Sequence, residues 1–310
     1  MKLAFVFPGQ GSQAVGMLNA FADSAAVRDT LAEASDAFGS DIGAMIAAGP
    51  KEVLDSTVNT QPAMLVAGVA TYRAWLEAGG RTPDFLAGHS LGEYSALVAA
   101  GALSLGDAVR LVRLRAEVMQ AAVPEGQGGM AAILGLDDDG VRAACAEAAQ
   151  GEVVEAVNFN SPGQVVIAGS RDAVARACEA CKARGAKRAL PLPVSVPSHC
   201  ALMRPAAEKL AAALAGLAIH PTTIPVIHNA DVAVYTDAAK IKDALVRQLY
   251  SPVRWVETVQ WLSTEGVSVV AECGPGKVLA GLNKRIVDGL RAVALTEPAA
   301  FDALKAALNG

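Results

Sequence analysis

The sequence predicts an α/β fold into which a smaller β-α-β-β-α-β unit is inserted, and three observations carry that reading. Short apolar runs alternate with helical patterns up to about residue 125, the mark of helices packed on a sheet. Over about residues 126–193 the order becomes strand, helix, strand, strand, helix, strand, that of a ferredoxin-like unit. The α/β pattern then resumes. Residues 1–125 and 194–310 are therefore expected to form one catalytic domain, and 126–193 a subdomain within it.

Each element has a local reason. Lys2–Phe7 reads as a buried strand that ends in the Gly-rich loop Pro8-Gly9-Gln10-Gly11-Ser12-Gln13. A helix is expected over Gln61–Trp75, a short strand over Asp84–Gly88 and a helix from Gly92. Ser104 with Asp107 makes an S-x-x-D start for an amphipathic helix over Leu105–Val123. In the middle, strands are expected at Gly129–Leu134, Val153–Asn158, Gln164–Gly169 and Ala186–Leu192, with Asn160–Gly163 as a turn. The helices between them are Asp138–Ala149 and one from an N-capping Ser170 to Arg184, stopped by Gly185. A proline-rich loop, Pro191–Pro197, leads to a helix over about Ala201–Ala215. Ile224–Ile227 and Val267–Cys273 read as further buried strands.

Composition narrows the function classes. With 53% apolar and 18% charged residues, the 310-residue chain can build a sizeable core. A net charge of −5 argues against a nucleic-acid partner, which needs a basic footprint. No apolar run approaches a membrane span, and the N-terminal run is too short for a signal peptide. Five cysteines, an odd number without framework spacing, suggest a reducing compartment, so a cytoplasmic location is expected. The Cys178/Cys181 pair falls inside a helical pattern without a preceding strand and reads as two small helix residues. No second Cys/His pair has metal-ligand spacing, so no metal site and no permanently bound cofactor are expected.

The chemistry concentrates at Gly88-His89-Ser90-Leu91-Gly92, a G-x-S-x-G between an apolar strand and a helical pattern. This motif sets Ser90 on a sharp turn as a nucleophile, with the Leu91 N–H as natural oxyanion donor. The competing reading is an ordinary serine at a tight turn. A nucleophilic serine needs a base. Of four histidines, His89 is expected to support the loop, His220 to lie at the surface, and His228 to end a strand as a satisfied core residue. His199, in Pro197-Ser198-His199-Cys200, precedes a helix whose N-terminus would disfavour imidazolium, so it is the expected base. Cys200 reads as a small helix residue. No acid obviously completes a triad.

On the Leu105–Val123 helix, Arg110, Arg113 and Glu117 cluster on one side, while Arg115 falls among Ala108, Leu111, Val112 and Met119. A buried arginine without a partner costs about 3–5 kcal/mol. Periodicity alone favours a protein carboxylate as the permanent partner of Arg115; a ligand carboxylate, held by a bidentate fork, is the alternative.

Taken together, these segments closely resemble the bacterial malonyl-CoA:acyl carrier protein transacylase family. The carrying stretches are Phe7–Gln13, Gly88–Tyr94, Arg113–Arg115, Val157–Gln164, Pro197–His199, Gln248–Val253 and Glu272–Gly276. The resemblance implies an α/β-hydrolase-like core with a ferredoxin-like insertion. It implies Ser90 as acylated nucleophile, His199 as base, and the main-chain N–H groups of Gln10 and Leu91 as oxyanion hole. Arg115 would bind the substrate carboxylate, against the preference from periodicity. The Gln248 main-chain carbonyl would orient His199, and Asn160 would be a further pocket residue. Malonyl-CoA and phosphopantetheinyl acyl carrier protein are the implied substrates, fatty-acid synthesis the implied pathway, and a monomer the expected state. The alternatives are a stand-alone acyltransferase of a polyketide pathway, an esterase or thioesterase on the same elbow, and a non-catalytic module.

Overall fold

In the computed structural model, which describes residues 1–194 and 196–309, ten strands form two sheets. The first sheet comprises β1 (Lys2–Phe7), β2 (Phe85–Gly88), β7 (Val226–His228), β8 (Ala233–Val234), β9 (Val267–Glu272) and β10 (Arg291–Ala294), in the order β10-β9-β1-β2-β7-β8. All its pairings are parallel except β7 with β8.

β1 lies inside this sheet, and its period-two alternation splits the core. Leu3, Phe5 and Phe7 face the helix Thr57–Glu77, where the Phe5 ring sits 5.6 Å from Trp75 and 5.9 Å from Tyr72. Ala4 and Val6 face the opposite layer with Trp255, Val259 and Leu262. Each buried phenylalanine contributes about 1.5–3 kcal/mol. The Thr57–Glu77 helix is buried along most of its length, which explains why it is apolar on nearly every face. No helix among the described residues is long and apolar enough to cross a membrane.

The second sheet is antiparallel and comprises β3 (Gly128–Leu134), β4 (Val154–Ser161), β5 (Gln164–Ser170) and β6 (Arg188–Pro191), in the order β4-β5-β3-β6. The helices Asp138–Ala149 and Arg171–Ala183 cover one face with a separate apolar cluster that includes Ala131, Ile133, Ile167 and Cys178. Its other face meets the first unit through Met130, Val157, Val166 and Cys200. One parallel bridge, Asn158 with Val253, joins the two units.

Several sequence expectations shift. Asn160 and Ser161 belong to β4, because the Ser161–Gln164 pair closes a two-residue hairpin in which Gly163 takes φ +70°. Ser170 makes no side-chain cap; it ends β5, paired with Gly128. The strand expected at Ala186–Leu192 shortens to β6. The helix expected over Ala201–Ala215 divides into a single 3-10 turn, Ala201–Met203, and an α-helix, Arg204–Ala215.

Candidate active site

Loops at the carboxyl ends of β1, β2 and β7 converge, as open parallel sheets favour. At the end of β2 the chain turns sharply, and the motif glycines have a steric reason. A Cβ on Gly88 would lie 1.9 Å from the Gly92 carbonyl carbon, and one on Gly92 would lie 2.0 Å from the Phe7 carbonyl oxygen. Ser90 at the apex adopts φ +51°, a strain on the order of 1–3 kcal/mol. Asn229, just beyond β7, offsets it: Ser90 N–H donates to Asn229 Oδ1 at 2.7 Å, and Asn229 Nδ2 donates to the Gly88 carbonyl at 2.6 Å.

Ser90 Oγ lies 2.7 Å from His199 Nε2, although 109 residues separate them. His199 is buried and has φ +68°. Its Nδ1 donates to the Gln248 carbonyl at 2.8 Å, which leaves Nε2 as acceptor for the serine proton. Burial, and then the nearby Arg115 cation, push its pKa down to about 3 against the opposing pull of the Gln248 carbonyl. Burial and charge, rather than the expected helix N-terminus, keep this imidazole neutral; Ala201–Met203, just after it, is only a single 3-10 turn.

Arg115 is 1% exposed. The expectation from periodicity of a protein carboxylate partner is overturned. Its Nη1 donates to Gln61 Oε1 at 2.8 Å, and its Nη2 to Gln248 Oε1 at 3.0 Å and Ser90 Oγ at 3.2 Å. Nε has no partner among the described residues. Its guanidinium lies 5.5 Å from the Tyr94 ring centroid. Burial lowers its pKa, while the charges of Tyr94 and Glu93 oppose that shift. Arg110 and Arg113, on the other side of the helix, are solvated and pair with Asp107 and Glu117.

Ser90, His199 and Arg115 line one cavity of about 390 Å³. Gln10 and Leu91 line it too, and their main-chain N–H groups make no hydrogen bond to another described residue. Met130, Asn158, Leu192 and Pro193, from the second sheet and the chain leaving it, form the opposite wall. Asn160 departs from expectation. It lies outside the wall and accepts from His89 Nε2 at 2.8 Å, which holds the half-buried His89 ring in place; His89 itself lines the cavity beside Ser90. His220 is exposed, as expected, and His228 is buried with Nδ1 on Glu93 at 2.7 Å, although its Nε2 has no partner among the described residues and so is only half satisfied. Cys200 donates to the Pro197 carbonyl, and burial pushes its pKa up to about 12.

Sequence reasoning missed Gln61, Glu93 and Asn229. Glu93 left a trace, as an acidic residue in the otherwise uncharged helix Gly92–Ala99. Its fully buried carboxylate accepts from Gln248 Nε2 at 2.7 Å and Asn229 N–H at 3.0 Å. Chemically, the cavity offers a serine hydroxyl hydrogen-bonded to a neutral imidazole, two main-chain N–H groups without a partner among the described residues, and a buried guanidinium.

A family model of the acyl transferase domain matches residues 4–300. The malonyl CoA-acyl carrier protein transacylase of Salmonella typhimurium is 60% identical over 97% of this chain and 98% of its own. An acyl-carrier-protein S-malonyltransferase crystal structure from Burkholderia pseudomallei superposes with a TM-score of 0.97 at 63% identity, over 98% of this chain and all of that one. A malonyl-transacylase in complex with a type II PKS acyl-carrier protein matches with a TM-score of 0.97 at 55% identity, over the whole of both chains.

Proposed function

The chain belongs to the acyl transferase family, among the malonyl CoA-acyl carrier protein transacylases, and on that premise we propose that it moves malonyl from coenzyme A to acyl carrier protein through an ester on Ser90. The observation that carries this mechanism is the meeting of Ser90 Oγ with His199 Nε2 at 2.7 Å and Arg115 Nη2 at 3.2 Å in one cavity.

His199 takes the Ser90 proton as Oγ attacks the thioester carbonyl. The tetrahedral oxyanion rests on the Gln10 and Leu91 N–H groups, each such donor being worth about 2.7–4 kcal/mol. The C–S bond then breaks, and His199 returns the proton to the departing coenzyme A thiol. The phosphopantetheine thiol of the carrier reverses these steps: it gives its proton to His199 and attacks the ester carbonyl, the C–Oγ bond breaks, and His199 returns that proton to Ser90. The Gln248 carbonyl holds the imidazole where triad enzymes use an acid. Arg115, whose buried charge has no carboxylate contact among the described residues, takes the free malonyl carboxylate. The malonyl carrier produced would supply fatty-acid synthesis. A polyketide carrier is the second reading, favoured by the likeness to the PKS carrier complex.

The same reading divides the chain into an α/β-hydrolase-like core, 1–125 with 194–310, and a ferredoxin-like subdomain, 126–193. Numbered by their own sequence order, the antiparallel strands lie 2-3-1-4, which supports the ferredoxin-like assignment. Intact-mass measurement after mixing with malonyl-CoA tests the mechanism. One malonyl adduct is expected on the wild type and none on Ser90→Ala; an adduct on Ser90→Ala would rule out the ester proposed. Mainly free malonate, with carrier present, would instead identify a thioesterase.

A further inference from the structure

A carboxylate lies one amide away from Arg115 without touching it. Gln248 stands between: its Nε2 donates to Glu93 Oε2 at 2.7 Å and to the Ser90 carbonyl at 3.0 Å, while its Oε1 accepts from Arg115 at 3.0 Å. This amide has one permitted sense. Reversed, it would set its oxygen against two acceptors and its NH₂ against a guanidinium that can only donate. Glu93 is itself immobilised. Oε1 accepts from His228 Nδ1 at 2.7 Å, and Oε2 also accepts from Asn229 N–H at 3.0 Å. It is the second residue of the helix Gly92–Ala99, where the helix dipole favours a negative group.

We infer that Glu93 is a positioning residue for donor selection: it locks the Gln248 amide with its oxygen on Arg115, so that a neutral acceptor aims the guanidinium and its charge remains for the substrate. A carboxylate in direct contact would occupy the fork and compete with that substrate. An unlocked amide would turn its donor end toward the cation and misdirect it. The inference rests on the malonyl-binding role proposed for Arg115 and extends it to a residue that touches neither substrate nor nucleophile side chain.

Two conservative variants separate reach from charge. Glu93→Gln keeps the length: its carbonyl can accept from Gln248 and Asn229. Its NH₂ can donate to His228 after a tautomer change, which is open because His228 Nε2 has no partner among the described residues. Glu93→Asp keeps the charge but is one methylene short of holding His228, Asn229 and Gln248 together. The measurement is acylation of the full chain by malonyl-CoA and by acetyl-CoA, as the malonyl-to-acetyl ratio of kcat/KM, with KM taken separately. Glu93→Gln should keep the ratio within about threefold, whereas Glu93→Asp should lower it by about tenfold or more, mainly through the malonyl KM. The opposite ranking, or a proportional loss of both donors in both variants, overturns the inference. A wild-type chain that forms no malonyl ester on Ser90 defeats the proposed function itself, an outcome separable from any ranking of the two variants.

Discussion

Two arginines show how differently this fold treats the same side chain. Arg247, partly exposed on the helix Ala238–Gln248, grips Asp231 with both terminal nitrogens at 2.5 and 2.6 Å and Asp243 through Nε at 2.7 Å. Those carboxylates raise its pKa. Arg115 is buried, receives two amide oxygens and a hydroxyl, and keeps an Nε without a partner among the described residues. The first satisfies its charge within the protein and has none left for a ligand. The second sits one amide away from the nearest acid, at the cost of a lowered pKa, and faces a cavity. A buried cation whose partners are all neutral marks a place for an anion more clearly than a salt bridge does.

The contrast breaks most visibly if Arg115→Ala spares malonyl transfer. The expected outcome is a loss of about 10²-fold or more in kcat/KM with malonyl-CoA, while acetyl transfer is kept or raised. Equal losses for both donors would make Arg115 a structural arginine like Arg247.

Next in size is the pH response of His199. Its folded pKa, near 3, lies below the ordinary 6.5, so the unfolded chain binds the extra proton between those values. Stability from keeping this group neutral is therefore full above pH 6.5 and is lost as pH falls toward 3, at about 1.4 kcal/mol per pH unit. Urea unfolding at pH 7 and pH 5 should show a smaller difference for His199→Gln than for the wild type; an unchanged difference would mean that this imidazole does not titrate as its burial requires. In activity, the acid limb of Ser90 acylation should lie well below pH 6.5. Arg115→Met, followed with acetyl-CoA, should move that limb upward by removing the cation.

The smallest effect belongs to the other arginine. Arg247→Ala loses two partly solvated ion pairs, to Asp231 and Asp243, and should cost about 1 kcal/mol in denaturant unfolding. The malonyl-to-acetyl ratio should not change, and a changed ratio would show that Arg247 is coupled to Arg115 through Gln248, its neighbour on the helix Ala238–Gln248.

Much of the frame was legible from residues alone. Lys2–Phe7 and Asp138–Ala149 fall where pattern placed them, because each has its own periodicity and a clean stop. The helices Ala25–Phe38, Ala238–Gln248, Trp255–Thr264, Val278–Ile286 and Pro298–Asn309 were not assigned, nor was β10, whose four residues carry little pattern. In the site, the elbow and the inward-facing Arg115 were readable from local spacing. Gln61, Glu93 and Asn229 were not, because each acquires its role from partners 54 to 155 residues away.

By itself the chain determined that Ser90 would stand on a strand–helix turn crowded enough to need Gly88 and Gly92, and that Arg115 would turn inward, since both come from spacings of a few residues. Tertiary structure alone decided what answers that inward charge: the packing that brings Gln61, Glu93 and Gln248 together places an amide, rather than an acid, against the guanidinium. Helical periodicity can say which side of a helix is buried, but the chemistry waiting there is set by segments far away in the chain.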